Sequence, residues 1–163
     1  MKSKDYFEFT VPGRPKGKER PRFSGGCVYT PRTTRDYERL IAACARSAMR
    51  ADGVREWLNS TDTEVGVYIN AYFPVPKSWP KWMQEKARQG EIRPTCKPDN
   101  DNVKKAVFDA LNHVAYRDDH QVVSDGMEKW YIPDTSAQHK AGWLDVAVSI
   151  KRKRTRREDF ADE

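Results

Sequence analysis

The chain has 163 residues and a mass of 18.9 kDa, and its 30 Lys or Arg against 24 Asp or Glu give a net charge of +6. This length fits a single domain, and the basic surplus favours a polyanionic partner such as nucleic acid over an ordinary basic surface. No apolar run reaches the roughly 20 residues that cross a bilayer, and three scattered cysteines fit neither a disulfide framework nor a zinc site. Because the first residues also lack the apolar stretch of a signal peptide, we expect a cytoplasmic protein without a membrane partner.

The N-terminal part of the chain combines strand and loop signals with one amphipathic helix. Tyr6–Val11 alternates with its apolar residues on one face, which is typical of a strand. Residues 12–24 are rich in Pro, Gly, Lys and Arg, so their cations are placed on a loop or an edge ribbon, and a short strand over residues 27–30 follows. A helix is predicted to begin at Thr33, with the Thr33 side chain as its N-cap, and to end near Gly53.

The rest of the chain carries three further strands and two helices. The longest strand signal is Glu64–Phe73, and prolines end it. A short helix over residues 81–89 is followed by a loop and by a helix over Asn100–Asn112. The last two strands are Val122–Tyr131 and Trp143–Ile150, which we expect to form a meander.

These elements predict an α+β fold. Residues 1–150 form a single domain, with a mixed β-sheet of about four or five strands and two or three helices packed on it. Residues 151–163 form a basic and then acidic C-terminal tail, which we expect to be flexible. Trp79 and Trp82 on the short helix, and Trp57, Trp130 and Trp143, are expected in the core.

The predicted helix over Asn100–Asn112 has one apolar face and one polar stripe. At 100° per residue, the stripe contains Asp101, Lys105, Asp109 and Asn112, and apolar residues cluster on the opposite side. Phe108 falls outside the apolar arc, where a monomer would expose it.

Four acids lie on or near this helix: Asp99, Asp101, Asp118 and Asp119. For a single Asp, helix capping is the simpler interpretation, but two such pairs are harder to explain in that way. Ligand sets made only of oxygen suit Mg²⁺ or Mn²⁺. In a basic protein, such a cluster indicates a metal-dependent phosphodiesterase, whose cations approach backbone phosphates while the acids hold the metal that activates water.

One motif resembles the RusA-type Holliday junction resolvases: Asp99-x-Asp101-Asn102-x-x-Lys105-x-x-x-Asp109-Ala-Leu, followed by Asp118-Asp119-x-Gln121-Val122. The segments Arg20-Pro-Arg-Phe23 and Val28-Tyr-Thr-Pro31 are similar to the phage-borne branch of that family. The resemblance covers about residues 5–150. It implies a homodimer that resolves four-way DNA junctions by symmetric paired incisions during recombination and repair, with Mg²⁺ as cofactor and Mn²⁺ as an alternative.

The resemblance also implies roles for individual residues. Asp99, Asp101 and Asp119 would be catalytic metal ligands, with Asp118 as a further candidate ligand, and Lys105 would stabilise charge on the phosphoryl oxygens or orient the nucleophile. Three nearby residues receive no firm role: Asp109, which matches a family position, His113, which stands where relatives often have Gly, and His120, a weak candidate for a general base.

The remaining predictions concern DNA and oligomeric state. We expect Lys16, Lys18, Arg20 and Arg22 to contact the DNA backbone, and Phe108 to lie at or beside a dimer interface. Two other functions stay open: a nuclease of the same fold that acts on flaps or other branched DNA, and a noncatalytic DNA-binding module whose acids serve only as helix caps.

Overall fold

The computed structural model describes residues 5–54, 63–134 and 140–152, so Trp57 and residues 153–163 of the predicted tail lie outside it. In chain order, the elements are β1 (Tyr6–Pro12), β2 (Arg22–Ser24), β3 (Cys27–Tyr29), α1 (Arg32–Asp52), β4 (Thr63–Phe73), α2 (Lys81–Arg88), α3 (Asn100–Leu111), β5 (Val122–Tyr131) and β6 (Trp143–Arg152).

The main sheet is mixed, with four strands in the order β1-β6-β4-β5. β6 pairs antiparallel with both β1 and β4, and β4 pairs parallel with β5. The α+β prediction is thereby confirmed. The predicted meander is wrong, because β4 lies between β5 and β6. In the structure β6 has a paired neighbour on each edge, β1 and β4, whereas the end of a meander would leave one of its edges unpaired.

Residues 12–24, the basic segment, end in the first strand of a separate hairpin, β2–β3. Its strands are joined by Gly25 and Gly26, both with positive φ (58° and 80°), which is what a two-residue hairpin turn requires. All six strand residues of the hairpin are exposed. The cations predicted for a loop or edge ribbon therefore lead into a hairpin whose side chains pack against none of the core.

Helix α1 begins earlier than predicted and without the predicted cap. Its N-cap residue is Pro31, and no side chain caps it. The Thr33 hydroxyl donates to the Glu19 carboxylate instead, and Thr34 Oγ1 accepts from the Glu19 backbone N–H at 3.2 Å. These two hydroxyls thus attach the basic segment to the helix. The helix ends at Gly53, close to the predicted position, and Gly53 is in the left-handed conformation.

Helices α1 and α3 pack against each other, α1 also contacts β1, and α3 contacts β5. The alternating residues of β4 that point to this core are all buried, as their period of two predicts. The predicted apolar face of α3 is buried as well: Val103, Ala106, Val107, Ala110 and Leu111. Phe108 is partly buried and packs against the core, so it is less exposed than its position on the helical wheel indicates.

The described tryptophans divide between core and surface. Trp143 is buried and stacks on Tyr72, and Trp79 packs edge-on against Tyr131. Trp130 is half-buried. Trp82 is 63% exposed, so its predicted place in the core is wrong: α2 buries Ala87 instead. Among the helices that the structure describes, none is both long and apolar enough to cross a membrane.

Candidate active site

Two aspartates lie at the start of α3, and neither carboxylate makes a capping hydrogen bond. Asp99 is the N-cap residue, and its carbonyl accepts the first helical hydrogen bond from Val103 at 3.2 Å, but its carboxylate makes no capping hydrogen bond. Asp101 lies in the first turn, 3.3 Å from the Lys105 ammonium, and both side chains are nearly two-thirds exposed. The Asp99 and Asp101 carboxylates are therefore not explained by capping, which would have been the simplest role for them.

The basic segment lies directly against the start of α3. The Lys18 backbone N–H donates to the Asn102 carbonyl at 2.8 Å. At Gly17 the contact is so close that a Cβ would lie 2.9 Å from the Asn102 Cβ and 3.0 Å from the Pro98 Cβ. Only Gly permits this approach without a shift of the backbone. The segment that carries the predicted DNA-binding cations is thus in contact with the residue that follows Asp101.

Lys18 itself is half-buried and pairs with acidic side chains of both helices. Its ammonium forms an ion pair with Asp109 on α3 and lies 3.8 Å from Glu38 on α1. The hydrogen bond to Asp109 raises the pKa of Lys18 and outweighs the opposing effect of burial. Burial raises the pKa of Glu38, and the Lys18 charge opposes that rise. Lys18 therefore joins the basic segment to both helices.

The other three predicted DNA contacts lie on the surface. Lys16 and Arg20 are exposed, and the Lys16 ammonium stands 5.9 Å from the centre of the Tyr37 ring. Arg22 is exposed and pairs with Glu19 at 3.3 Å. Of the four cations, Lys18 is thus placed differently from the rest.

The second pair of acids sits on a short 3₁₀ turn, Asp119–Gln121, between α3 and β5. The Asp118 carboxylate caps this turn by accepting from the His120 backbone N–H at 3.1 Å, and it also contacts His120 Nδ1 at 2.7 Å. The backbone hydrogen bond lowers the pKa of Asp118. For Asp118 the capping interpretation is therefore correct.

Asp119 stands in the opposite electrostatic environment. Burial raises its pKa, and so do the hydrogen bond with Asp118 and the negative charges of Asp118 and Asp109. A carboxylate destabilised by like-charged neighbours is one that a cation would stabilise. The neighbouring acids thus differ in their surroundings: Asp118 caps the turn, and Asp119 lies beside the negative charges of Asp118 and Asp109.

Gln121 holds this turn in place, and sequence reasoning assigned it no role. It is 5% exposed, its side-chain oxygen accepts from the Arg117 and Asp118 backbone N–H groups at 3.1 and 3.3 Å, and its amide donates to Thr63 Oγ1 at 3.0 Å. The signal in the sequence was the Asp-x-x-Gln spacing of a capping box.

At His113, where the resemblance implies Gly, the backbone has an unusual conformation. Its φ is 60°, in the left-handed region, and its N–H donates to the Tyr116 carbonyl at 2.7 Å. Gly adopts this conformation freely, and His is one of the side chains that tolerate it best. The His side chain is exposed, so the departure from Gly leaves the turn intact.

The structure brings Asp109, Asp118 and Asp119 into one electrostatic neighbourhood and pairs Asp101 with Lys105. Across residues 5–54, 63–134 and 140–152, no three His, Cys, Asp or Glu side chains converge closely enough to hold a metal ion. The donor chemistry of Asp99, Asp101 and Asp119 nevertheless fits a hard cation, because all three offer carboxylate oxygens and all three are exposed.

The similarity to known proteins covers the elements that form this site. The family model of endodeoxyribonuclease RusA matches residues 12–137. The chain belongs to the RusA endodeoxyribonuclease family. The match includes the basic segment, α3 and the 3₁₀ turn, and it ends before β6. The uncharacterized protein YqaN of Bacillus subtilis (strain 168) is 40% identical over 133 residues, which cover 78% of this chain and 89% of that protein. Family membership supports an endonuclease that acts on DNA.

Proposed function

We propose that this RusA-family protein is a Mg²⁺-dependent endonuclease that resolves four-way DNA junctions by symmetric paired incisions during recombination and repair. The observation that carries the proposal is the start of α3, where the basic segment contacts Asn102, the residue that follows Asp101. The Asp99 carboxylate there makes no capping hydrogen bond, and Asp101 and Lys105 form an exposed pair. Acids and cations side by side suit a phosphodiester, whose cleavage needs a metal at the phosphate and cations along the backbone.

Asp99, Asp101 and Asp119 are the proposed metal ligands. Mg²⁺, or Mn²⁺ in its place, would polarise the scissile phosphate and lower the pKa of the attacking water. Lys105 has an exposed ammonium one turn from Asp101, where it can stabilise charge on the phosphoryl oxygens. Asp118 and Gln121 fix the direction from which Asp119 approaches.

The exposed cations Lys16, Arg20 and Arg22 would contact phosphates on either side of the cleaved bond. Such contacts position a protein on DNA without reading its sequence. Because the Lys18 backbone is hydrogen-bonded to Asn102, phosphates bound by this segment would be held at a set distance from Asp101.

The proposed active species is a homodimer, since a four-way junction has two-fold symmetry and two opposed incisions need two sites related by the same axis. Phe108 remains our candidate for a residue at or beside the interface, because part of its ring stays at the surface one turn from Lys105. Sedimentation at micromolar concentration tests the dimer, and a clean monomer would contradict it.

The function is tested by incubating the protein and Mg²⁺ with a four-way junction, a flap and a linear duplex of matched length. A plasmid that extrudes a cruciform separates paired from single cuts, because paired incision linearises it and a single incision only nicks it. We expect junction cleavage in symmetric pairs. Preferred cutting of flaps would favour a nuclease for other branched DNA, and binding without cleavage in Mg²⁺ and Mn²⁺ would favour the noncatalytic module.

A further inference from the structure

The β2–β3 hairpin carries large apolar side chains that have no place in the core. Phe23 is 73% exposed and Val28 is 70% exposed. The two residues are directly opposite each other in the antiparallel pairing, so they share one face of the hairpin. Tyr29, 45% exposed, lies on the other face opposite Arg22.

The root of this hairpin is tied to the candidate active site. Lys18 is hydrogen-bonded to Asn102 and paired with Asp109 on α3, and Glu19 is bonded to the first turn of α1 through Thr33 and Thr34. The two glycines of the turn are at the opposite end, with open space around them. The hairpin is therefore anchored at its base beside α3 and presents its apolar face away from the protein.

The charge around the hairpin indicates what it meets. Residues 13–35 contain seven Lys or Arg and one Glu, a net charge of +6. The whole chain has the same net charge, so all other residues together are balanced. An exposed apolar pair in the middle of the entire basic surplus is poorly suited to an apolar protein surface and well suited to DNA, which combines phosphates with stacked apolar bases.

We propose that the hairpin is a branch-recognition arm, which places Phe23, supported by Val28, against the bases at the branch point of a DNA junction. The inference rests on the proposed function, since it names how that same site selects its substrate. Aromatic rings stack on exposed bases, and apolar side chains enter base steps that are already partly unstacked. A linear duplex must first be unstacked before it can accept the ring, so the arm favours branched DNA.

The test uses the full chain with Asp101→Asn, which blocks cleavage, and adds Phe23→Ala, Phe23→Trp or Trp82→Ala. Trp82 is the matched control, an exposed aromatic on α2 outside the basic segment. Dissociation constants are measured for a four-way junction and a linear duplex, and 2-aminopurine at the branch point reports unstacking. We expect Phe23→Ala to weaken junction binding about tenfold, to leave duplex binding unchanged and to remove the fluorescence rise. Phe23→Trp should keep both the junction affinity and the fluorescence rise, and Trp82→Ala should change neither.

The outcomes separate this inference from the proposed function. If the Asp101→Asn protein with no second substitution binds the junction no more tightly than the duplex, the proposed function is overturned. A preserved preference in Phe23→Ala, with an unchanged fluorescence rise, overturns the arm alone. If Phe23→Ala converts a dimer into a monomer in sedimentation, the hairpin is an arm between subunits and the DNA contact is wrong. Phe23 and Trp82 are both mostly exposed, so replacing either side chain removes no core contact.

Discussion

Two aspartates on the polar stripe of α3 each pair with a lysine, and the two pairs differ in what surrounds them. Asp101 and Lys105 are neighbours on one helix, 64% and 63% exposed. Asp109 pairs with Lys18, which is 91 residues away in the sequence, and these side chains are 31% and 30% exposed. Glu38 on α1 is a second acid beside Lys18, 3.8 Å from its ammonium.

The exposed pair is the one that is free to exchange partners. A solvent-exposed pair of i,i+4 residues contributes only about 0.2–0.5 kcal/mol to a helix, so a metal ion or a phosphate can replace either partner at little cost. The enclosed pair joins a loop to two helices, and separating it would leave a partly buried charge without a partner. The exposed pair is thus suited to chemistry and the enclosed pair to positioning.

The largest effect is expected at the exposed pair. We expect Asp101→Asn to reduce junction cleavage by at least about a thousandfold, because a metal-ligating charge is lost while the size of the side chain is kept. Junction binding should stay equal or become tighter, since repulsion toward phosphate decreases. The free energy of unfolding should change by less than about 0.5 kcal/mol. Parallel cleavage, binding and urea titrations measure all three.

Asp36→Asn is the matched control, because Asp36 is an exposed acid of α1 that pairs with Arg32 and Arg39. It should leave cleavage at the wild-type rate. Turnover of Asp101→Asn within about tenfold of wild type, which corresponds to about 1.4 kcal/mol of barrier, would remove Asp101 from the metal site.

The contrast between exposed and engaged cations gives the next largest effect. Replacing Lys16 and Arg20 by Ala should weaken junction binding more than about tenfold at 0.1 M salt and reduce the slope of log K against log salt by about 2, one counterion per lost phosphate contact. Lys18→Met should leave that slope unchanged, since Lys18 is paired with Asp109. Lys81→Ala on α2 serves as a control. A slope that falls by about 1 in Lys18→Met would make Lys18 a DNA contact after all.

Local pattern was sufficient for much of the fold. Apolar residues repeat every two positions in β1 and β4 and with the helical period in α3. The structure buries the residues that these periods predict. The order of strands has no such local signal. β5 and β6 are adjacent in sequence, yet pairing across β4 decides their places in the sheet.

The site was predictable as a motif and not as an arrangement. Spacing singles out the four aspartates, and the family resemblance favours Asp119 over Asp118 as a ligand. Only the structure shows that Asp118 caps a turn and that burial raises the pKa of Asp119. Lys18 was grouped with the surface cations because its partner Asp109 lies so far along the chain. Contacts of that kind are set by how α1, α3 and the basic segment pack together.

A smaller effect sharpens the positioning role of the enclosed pair. Lys18→Met and Asp109→Asn should each weaken junction binding about fivefold, because each releases the basic segment from α3. Together they should cost little more than either alone, with a coupling of about 1 kcal/mol in a double-mutant cycle. The sign is decisive: if Lys18 contacted phosphate instead, Asp109→Asn would free it and remove a negative charge, so binding would become tighter.

The smallest effect concerns Glu38, which senses whether Lys18 stays in place. Burial is the main cause of its raised pKa, the Asp109 charge adds to the rise, and Lys18 acts against it. Lys18→Met removes the charge that lowers the pKa of Glu38, so this pKa should rise further, as an NMR titration of the Glu38 carboxyl carbon would show. An acid with a raised pKa contributes stability that is complete below its unfolded-state pKa and is lost as the pH rises through its folded-state pKa. Lys18→Met should therefore lower the free energy of unfolding more at about pH 7 than at about pH 4, and Glu38→Gln in the same protein should reduce that difference.

An identical titration of the Glu38 carboxyl in wild type and Lys18→Met would mean that Lys18 does not face Glu38 in solution. The Lys18–Asp109 pair would then be no more enclosed than the pair of Asp101 and Lys105.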